Sequence, residues 1–122
     1  MATEKFNELM LQATFDFARL ALGNAVLLNG AGATALLAFM STHQNLSAGC
    51  RCGVLLFAVG AACGGIATVL AYLGQRQNWE AVDKKSPAKH VLANRLILSA
   101  VGVAGFSYLL FFLGVLEASS GL

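Results

Sequence analysis

Hydrophobic positions fall in three long blocks, at residues 20–40, 53–73 and 96–116, with polar stretches between them. None of the three contains Asp, Glu, Lys, Arg or Pro. A helix of about 20 apolar residues crosses the ~30 Å hydrocarbon layer of a bilayer. As a helix it satisfies its own backbone, which lipid demands. The alternating pattern of barrel strands is missing, and the apolar runs are about twice the length of a barrel strand. The expected fold class is therefore an all-α membrane protein with three transmembrane helices, forming one membrane domain over residues 1–122.

Ahead of the first block, residues 3–19 carry a different pattern. Phe6, Leu9, Met10, Ala13 and Phe17 recur at helical spacing, while Glu4, Lys5, Glu8, Gln12, Asp16 and Arg19 lie mostly off that stripe. Thr3 is a candidate cap, and Glu4 suits the positive end of the helix dipole. The pattern predicts an N-terminal amphipathic helix over 3–19. It would lie on the membrane surface, run straight into the first span, or dock on a partner subunit. The acidic residues in this stretch do not suit a cleaved signal peptide.

Composition agrees with a membrane location. Of the 122 residues, 57 % are hydrophobic and only 11 % charged, against about 25 % charged in soluble domains. A soluble domain this small cannot hide so much apolar surface.

Charge placement predicts the orientation. The stretch 74–95 holds Arg76, Lys84, Lys85, Lys89 and Arg95, and the N-terminal segment adds Lys5 and Arg19. Residues 41–52 contain only Arg51, and the C-terminal EASSGL has no basic residue. The positive-inside rule places the N-terminus and a basic loop 74–95 in the cytoplasm and the C-terminus outside, in the inner (cytoplasmic) membrane. Tyr72 and Trp79 would rest at the inner interface. Pro87 breaks any helix through the loop, so the third helix should begin near residue 88 and project from the bilayer. The basic cluster would sit on anionic headgroups or receive a protein partner. Nothing points to a nucleic-acid partner.

Candidate chemistry is sparse. No nucleotide-binding loop, H-E-x-x-H or G-x-S-x-G motif is present. His43 and His90 fall on opposite sides of the predicted membrane. Neither an enzyme nor a cofactor is expected. Cys50, Cys52 and His43 supply three ligands at most, where structural zinc needs four, so no metal site is expected. Cys63 reads as a small packing residue. The spans contain no ionisable acid or base, the usual mark of ion-coupled transport.

Small and polar residues inside the spans are more telling. Gly60-Ala61-Ala62-Cys63-Gly64 is a G-x-x-x-G match that lets two helices approach closely, within one chain or between chains. The third span has a small patch, Ser99, Ala100, Gly102, Val103 and Gly105, followed by bulky residues. This predicts close packing through Gly102 and Gly105, with lipid contact beyond them. The first span contains Asn24, Asn29 and Thr34. A carboxamide without partners in hydrocarbon costs several kcal/mol. These residues should therefore join helices together or line a water-filled pore. Three helices give too little cover for them, which predicts a homo-oligomer with closed cyclic symmetry.

The strings Leu28-Asn29-Gly30-Ala31, Ala35-Leu36-Leu37-Ala38-Phe39, Phe57-Ala58-x-Gly60 and Ala71-Tyr72-Leu73 resemble a pattern that recurs in small, mostly uncharacterised bacterial membrane proteins. In size and organisation the chain is similar to membrane effectors of phage-defence systems. The resemblance implies an oligomeric pore or membrane-disrupting effector, in antiviral defence or a toxin-like setting. An accessory subunit anchoring a larger complex is the alternative. Phage holins are similar in length and span number, but they usually carry a basic C-terminal tail inside, and this chain reverses that arrangement.

Overall fold

In a computed structural model, which describes residues 1–43 and 47–121, each apolar block is the middle of a longer helix. Helix α1 runs Ala2–Thr42, α2 Ala48–Lys84 and α3 Pro87–Ser120. No strand occurs among the described residues. Their 41, 37 and 34 residues correspond to roughly 50–60 Å at 1.5 Å per residue, well beyond the hydrocarbon thickness. All three are long and apolar enough to cross a membrane.

Residues 3–19 are not set off as an element of their own. They form the first half of α1, which continues unbroken into the span. Thr3 lies inside the helix, and the N-cap position is Met1, without a side-chain cap. The stretch 74–95, expected as a loop, is helical except for Lys85 and Ser86. Its polarity suggested a loop, but its Gln, Arg, Glu and Ala residues are good helix formers. Pro87 occupies the first turn of α3, where a missing N–H costs nothing. Within 41–52, Ser41 and Thr42 end α1, Ala48 opens α2, and residues 44–46 lie outside the described residues. So does the last residue of the C-terminal tail, residue 122.

Two local devices set the ends of α2. Ser47 Oγ accepts a hydrogen bond from the Cys50 N–H at 3.2 Å, capping the start. Lys85 adopts a left-handed conformation, φ 48° and ψ 44°. This lets the Ser86 N–H reach Ala81 O at 3.1 Å and closes the helix.

The two-residue turn makes α2 and α3 a close antiparallel hairpin with small residues along its seam. Ala67, Gly74 and Ala81 of α2 and Ala93 and Ala100 of α3 are buried. At Gly74 an added Cβ would stand 2.8 Å from an Ile97 side-chain carbon. Helix α1 leans on this hairpin, antiparallel to α2, and buries only Ala25, Asn29 and Leu36. Phe57 of α2 seals the contact, its ring lying between Gly32 of α1 and Gly114 of α3. A Cβ at either glycine would come within 2.9 or 2.8 Å of it. No residue of α1 before Ala25 is buried. Residues 2–20 are all exposed, so this stretch runs clear of the hairpin.

Lys85 has a side chain where glycine is the usual choice, at a cost of roughly 1 kcal/mol. We expect Lys85→Gly to raise the unfolding free energy by up to ~1 kcal/mol and Lys85→Val to lower it. Denaturant titration of the detergent-solubilised protein measures both.

Candidate functional site

One polar node joins all three helices inside the apolar layer. The carboxamide of Asn29 is fully buried, as is Ser107 of α3. Asn29 Nδ2 donates to Ala25 O at 2.9 Å, to Ser107 Oγ at 3.1 Å and to Ser107 O at 3.2 Å. Two N–H groups serve three acceptors, so one of these bonds is shared. Ser107 Oγ donates in turn to Gly60 O of α2 at 2.7 Å. The network fixes the amide orientation, because the reverse would press its oxygen against Ala25 O and Ser107 O.

Asn29 Oδ1 is left buried without a hydrogen bond. It faces Gly60, where an added Cβ would stand only 2.1 Å away. The glycine leaves room for that oxygen and presents only a weak C–H contact to it. Gly64, one turn along, fits against Val26, whose Cγ2 would be 2.9 Å from an added Cβ. The G-x-x-x-G pair thus packs α2 on α1 within one chain.

Gly102 and Gly105 stand elsewhere. Both are exposed, and no atom comes within 4 Å of where a Cβ would be. Helix α3 packs through Ala93, Ala100, Ser107, Leu110 and Gly114. At 100° per residue the two glycines fall on the opposite face. Close packing in this span therefore involves part of the bulky half, and Ser107 is its key member. Ser107 shares its span with two other hydroxyl residues, Ser99 and Tyr108, so nothing in the sequence singles it out.

Asn24 and Thr34 face away from the chain's own bundle. Both are exposed. Thr34 Oγ1 donates back to Gly30 O at 2.9 Å, which satisfies its hydroxyl. Asn24 has no hydrogen bond among the described residues. The structure therefore separates three residues that the sequence grouped together. Asn29 holds helices inside the chain, and Asn24 and Thr34 lie on the outer face of α1. Nearby, an apolar groove of about 620 Å³ opens between α1 and α3, floored by Phe57 and walled by Leu28, Phe39, Phe111 and Val115.

The basic residues gather around the hairpin turn. Arg76 Nε lies 3.5 Å from Glu80 Oε1, and Lys89 Nζ bonds the other oxygen of the same carboxylate. His90 Nδ1 pairs with Asn78 Oδ1 at 3.2 Å. Glu80 is held below the ordinary carboxylate range, first by the Lys89 hydrogen bond and then by its charge, against an opposing effect of burial, with Lys84 and Arg76 adding to the lowering. Lys84, Lys85 and Arg95 are also exposed at this end.

Cys50 is buried, its Sγ 3.8 Å from Gly121 O, while Cys52 is exposed. His43 stacks on Phe39 with ring centroids 4.2 Å apart. No group of three His, Cys, Asp or Glu side chains placed to hold a metal occurs among the described residues. Comparison with protein families, curated proteins and solved structures yields no match. The functional reading therefore rests on this geometry.

Gly60→Ala forces a methyl group onto Asn29, and overpacking of this kind costs about 1–3 kcal/mol. Gly64→Ala should cost less, because the atoms its methyl would meet, Val26 Cγ2 at 2.9 Å and Val26 N at 3.2 Å, overlap it far less than the Asn29 amide overlaps a methyl at Gly60. Ser107→Ala removes a contact of the ~0.6–2 kcal/mol class. Unfolding titrations in detergent should rank the loss Gly60→Ala above Gly64→Ala.

A lowered carboxyl pKa gives stabilisation that is complete above the ordinary glutamate range and disappears as pH falls through the lowered value. Amide protection factors at the α2–α3 turn, which are corrected for the intrinsic pH dependence of exchange, should therefore be unchanged from neutral to mildly acidic pH and fall only under stronger acid. Glu80→Gln should abolish that acid step.

Proposed function

We propose that this chain is a multi-pass protein of the cytoplasmic membrane that assembles as a homo-oligomer and alters membrane permeability. It would act as a pore-forming effector of the antiviral-defence or toxin-like kind. The observation that carries the proposal is the outer face of α1. Asn24 is exposed there within an apolar span, with Thr34 further along the same side. An unpartnered carboxamide facing acyl chains costs several kcal/mol. It is relieved if copies of α1 surround an axis where the carboxamides meet one another and water. Asn29 stays off that axis and holds α1 against its hairpin.

The distribution of Lys and Arg supports an orientation with the α2–α3 turn in the cytoplasm. There Arg76, Lys84, Lys85, Lys89 and Arg95 would meet anionic headgroups or a protein partner. The apolar stripe of residues 3–19 would extend the assembly on the same side.

Reconstitution into dye- or ion-loaded liposomes tests the proposal, together with the mass of the detergent-solubilised particle. We expect a multimer that leaks. Asn24→Leu changes an exposed position, so it should leave the chain folded and lower leakage by roughly tenfold, equivalent to ~1.4 kcal/mol. A monomeric particle that does not leak, or a stoichiometric complex with a different protein, would overturn the reading.

A further inference from the structure

One stripe of α1 is bare from end to end. From Phe6, alternating steps of four and three residues lead to Met10, Ala13, Phe17 and Leu20. The same steps continue through Asn24, Leu27, Ala31, Thr34, Ala38 and Ser41. Every residue on this path is exposed. The mean step of 3.5 residues is the period of a left-handed coiled coil, kept here across both halves of the helix. Asn29 and Leu36, which face the chain's own hairpin, lie diametrically opposite. The seam therefore stays free when α1 packs within its own chain.

We propose that α1 packs in parallel against α1 of the neighbouring copy of this chain along this seam, from Phe6 to Ser41, so that the seams of successive copies turn toward the shared axis. The proposal rests on the homo-oligomer reading above and names the surface that builds it.

Four features favour a second copy over lipid. First, the unbroken helix carries Phe6, Met10 and Phe17 beyond the apolar span, where they need cover that acyl chains below the surface do not give. Second, in-register pairing brings Asn24 onto the partner's Asn24, so each carboxamide gains a hydrogen-bonding group. A single Asn at a seam position is also a device that fixes register. Third, Phe6, Met10, Phe17, Leu20 and Leu27 are 55–73 % exposed. Together they offer roughly 600 Å² on each chain, so a pair reaches the lower range of stable interfaces. Fourth, charge avoids the contact. Glu4, Lys5, Glu8 and Arg19 fall off the seam and its flanks, and only Asp16 borders it. Gly23 and Gly30 flank the membrane half, and no atom of another helix comes within 4 Å of where a Cβ would be on either, which leaves room for a neighbouring backbone. Copies inserted the same way in a membrane present their α1 helices parallel, as the pairing requires.

Disulfide scanning of the full chain in native membranes tests this. With Cys50, Cys52 and Cys63 changed to Ala, single substitutions Met10→Cys, Ala13→Cys and Phe17→Cys are compared with Glu8→Cys and Phe15→Cys after mild oxidation. We expect several-fold more same-residue dimer at the first three. If the cysteine-free chain fails to accumulate, a photocrosslinking residue replacing Phe17 or Phe15 in the otherwise native chain gives the same contrast. Equal crosslinking on both faces, or a maximum at Phe15, would overturn the proposal. A multimeric particle without seam crosslinks removes the seam and leaves the oligomer. A monomeric particle without them removes both. Seam crosslinks in an assembly that does not leak support the seam and remove the pore.

Discussion

A single buried carboxamide determines how these three helices can sit together. In lipid, apolar side chains give no preference for one helix arrangement over another, because the solvent is as greasy as they are. The arrangement is selected by polar groups that must find each other and by small residues that let backbones close. Asn29 does the first with Ser107, and Gly60 does the second by leaving space for the amide oxygen. Each of the three helices contributes one member. Moving any of them by a turn would leave a carboxamide facing hydrocarbon.

The stability of the bundle is unevenly distributed as a result. Helices α2 and α3 share a two-residue turn, a seam of alanine and glycine, and a carboxylate held by two basic side chains. Helix α1 is held by the node, by Phe57 lodged between two glycines, and by Tyr108, whose hydroxyl donates to Ala21 O at 2.6 Å. The hairpin serves as the frame, and α1 presents most of its surface to whatever lies outside.

The sequence disclosed much of this, because the bilayer imposes strong rules. The three spans follow from the apolar runs alone, and Pro87 marked the start of α3 to within a residue of the expected place. The stretch 74–95 was harder, since polar helices that leave the membrane look like loops when hydropathy is the guide. Asn29 was legible as a group needing a partner, but not which partner, because Ser107 is ordinary except in three dimensions. Gly102 and Gly105 misled for a related reason. Small residues mark a surface that can be approached, and only the helical phase relative to Ala100 and Ser107 tells which side faces the chain's own helices.

The charged residues of the three helices gather mainly at one end, and that asymmetry bears on how such a chain enters a membrane. The end formed by residues 41–52 and 117–121 carries Arg51 and Glu117 as its only acidic or basic side chains besides His43, among the described residues. The opposite end carries all the rest. Charged groups cost about 2.5–3.5 kcal/mol each on insertion scales. Threading the lightly charged end across is therefore far cheaper than threading the other.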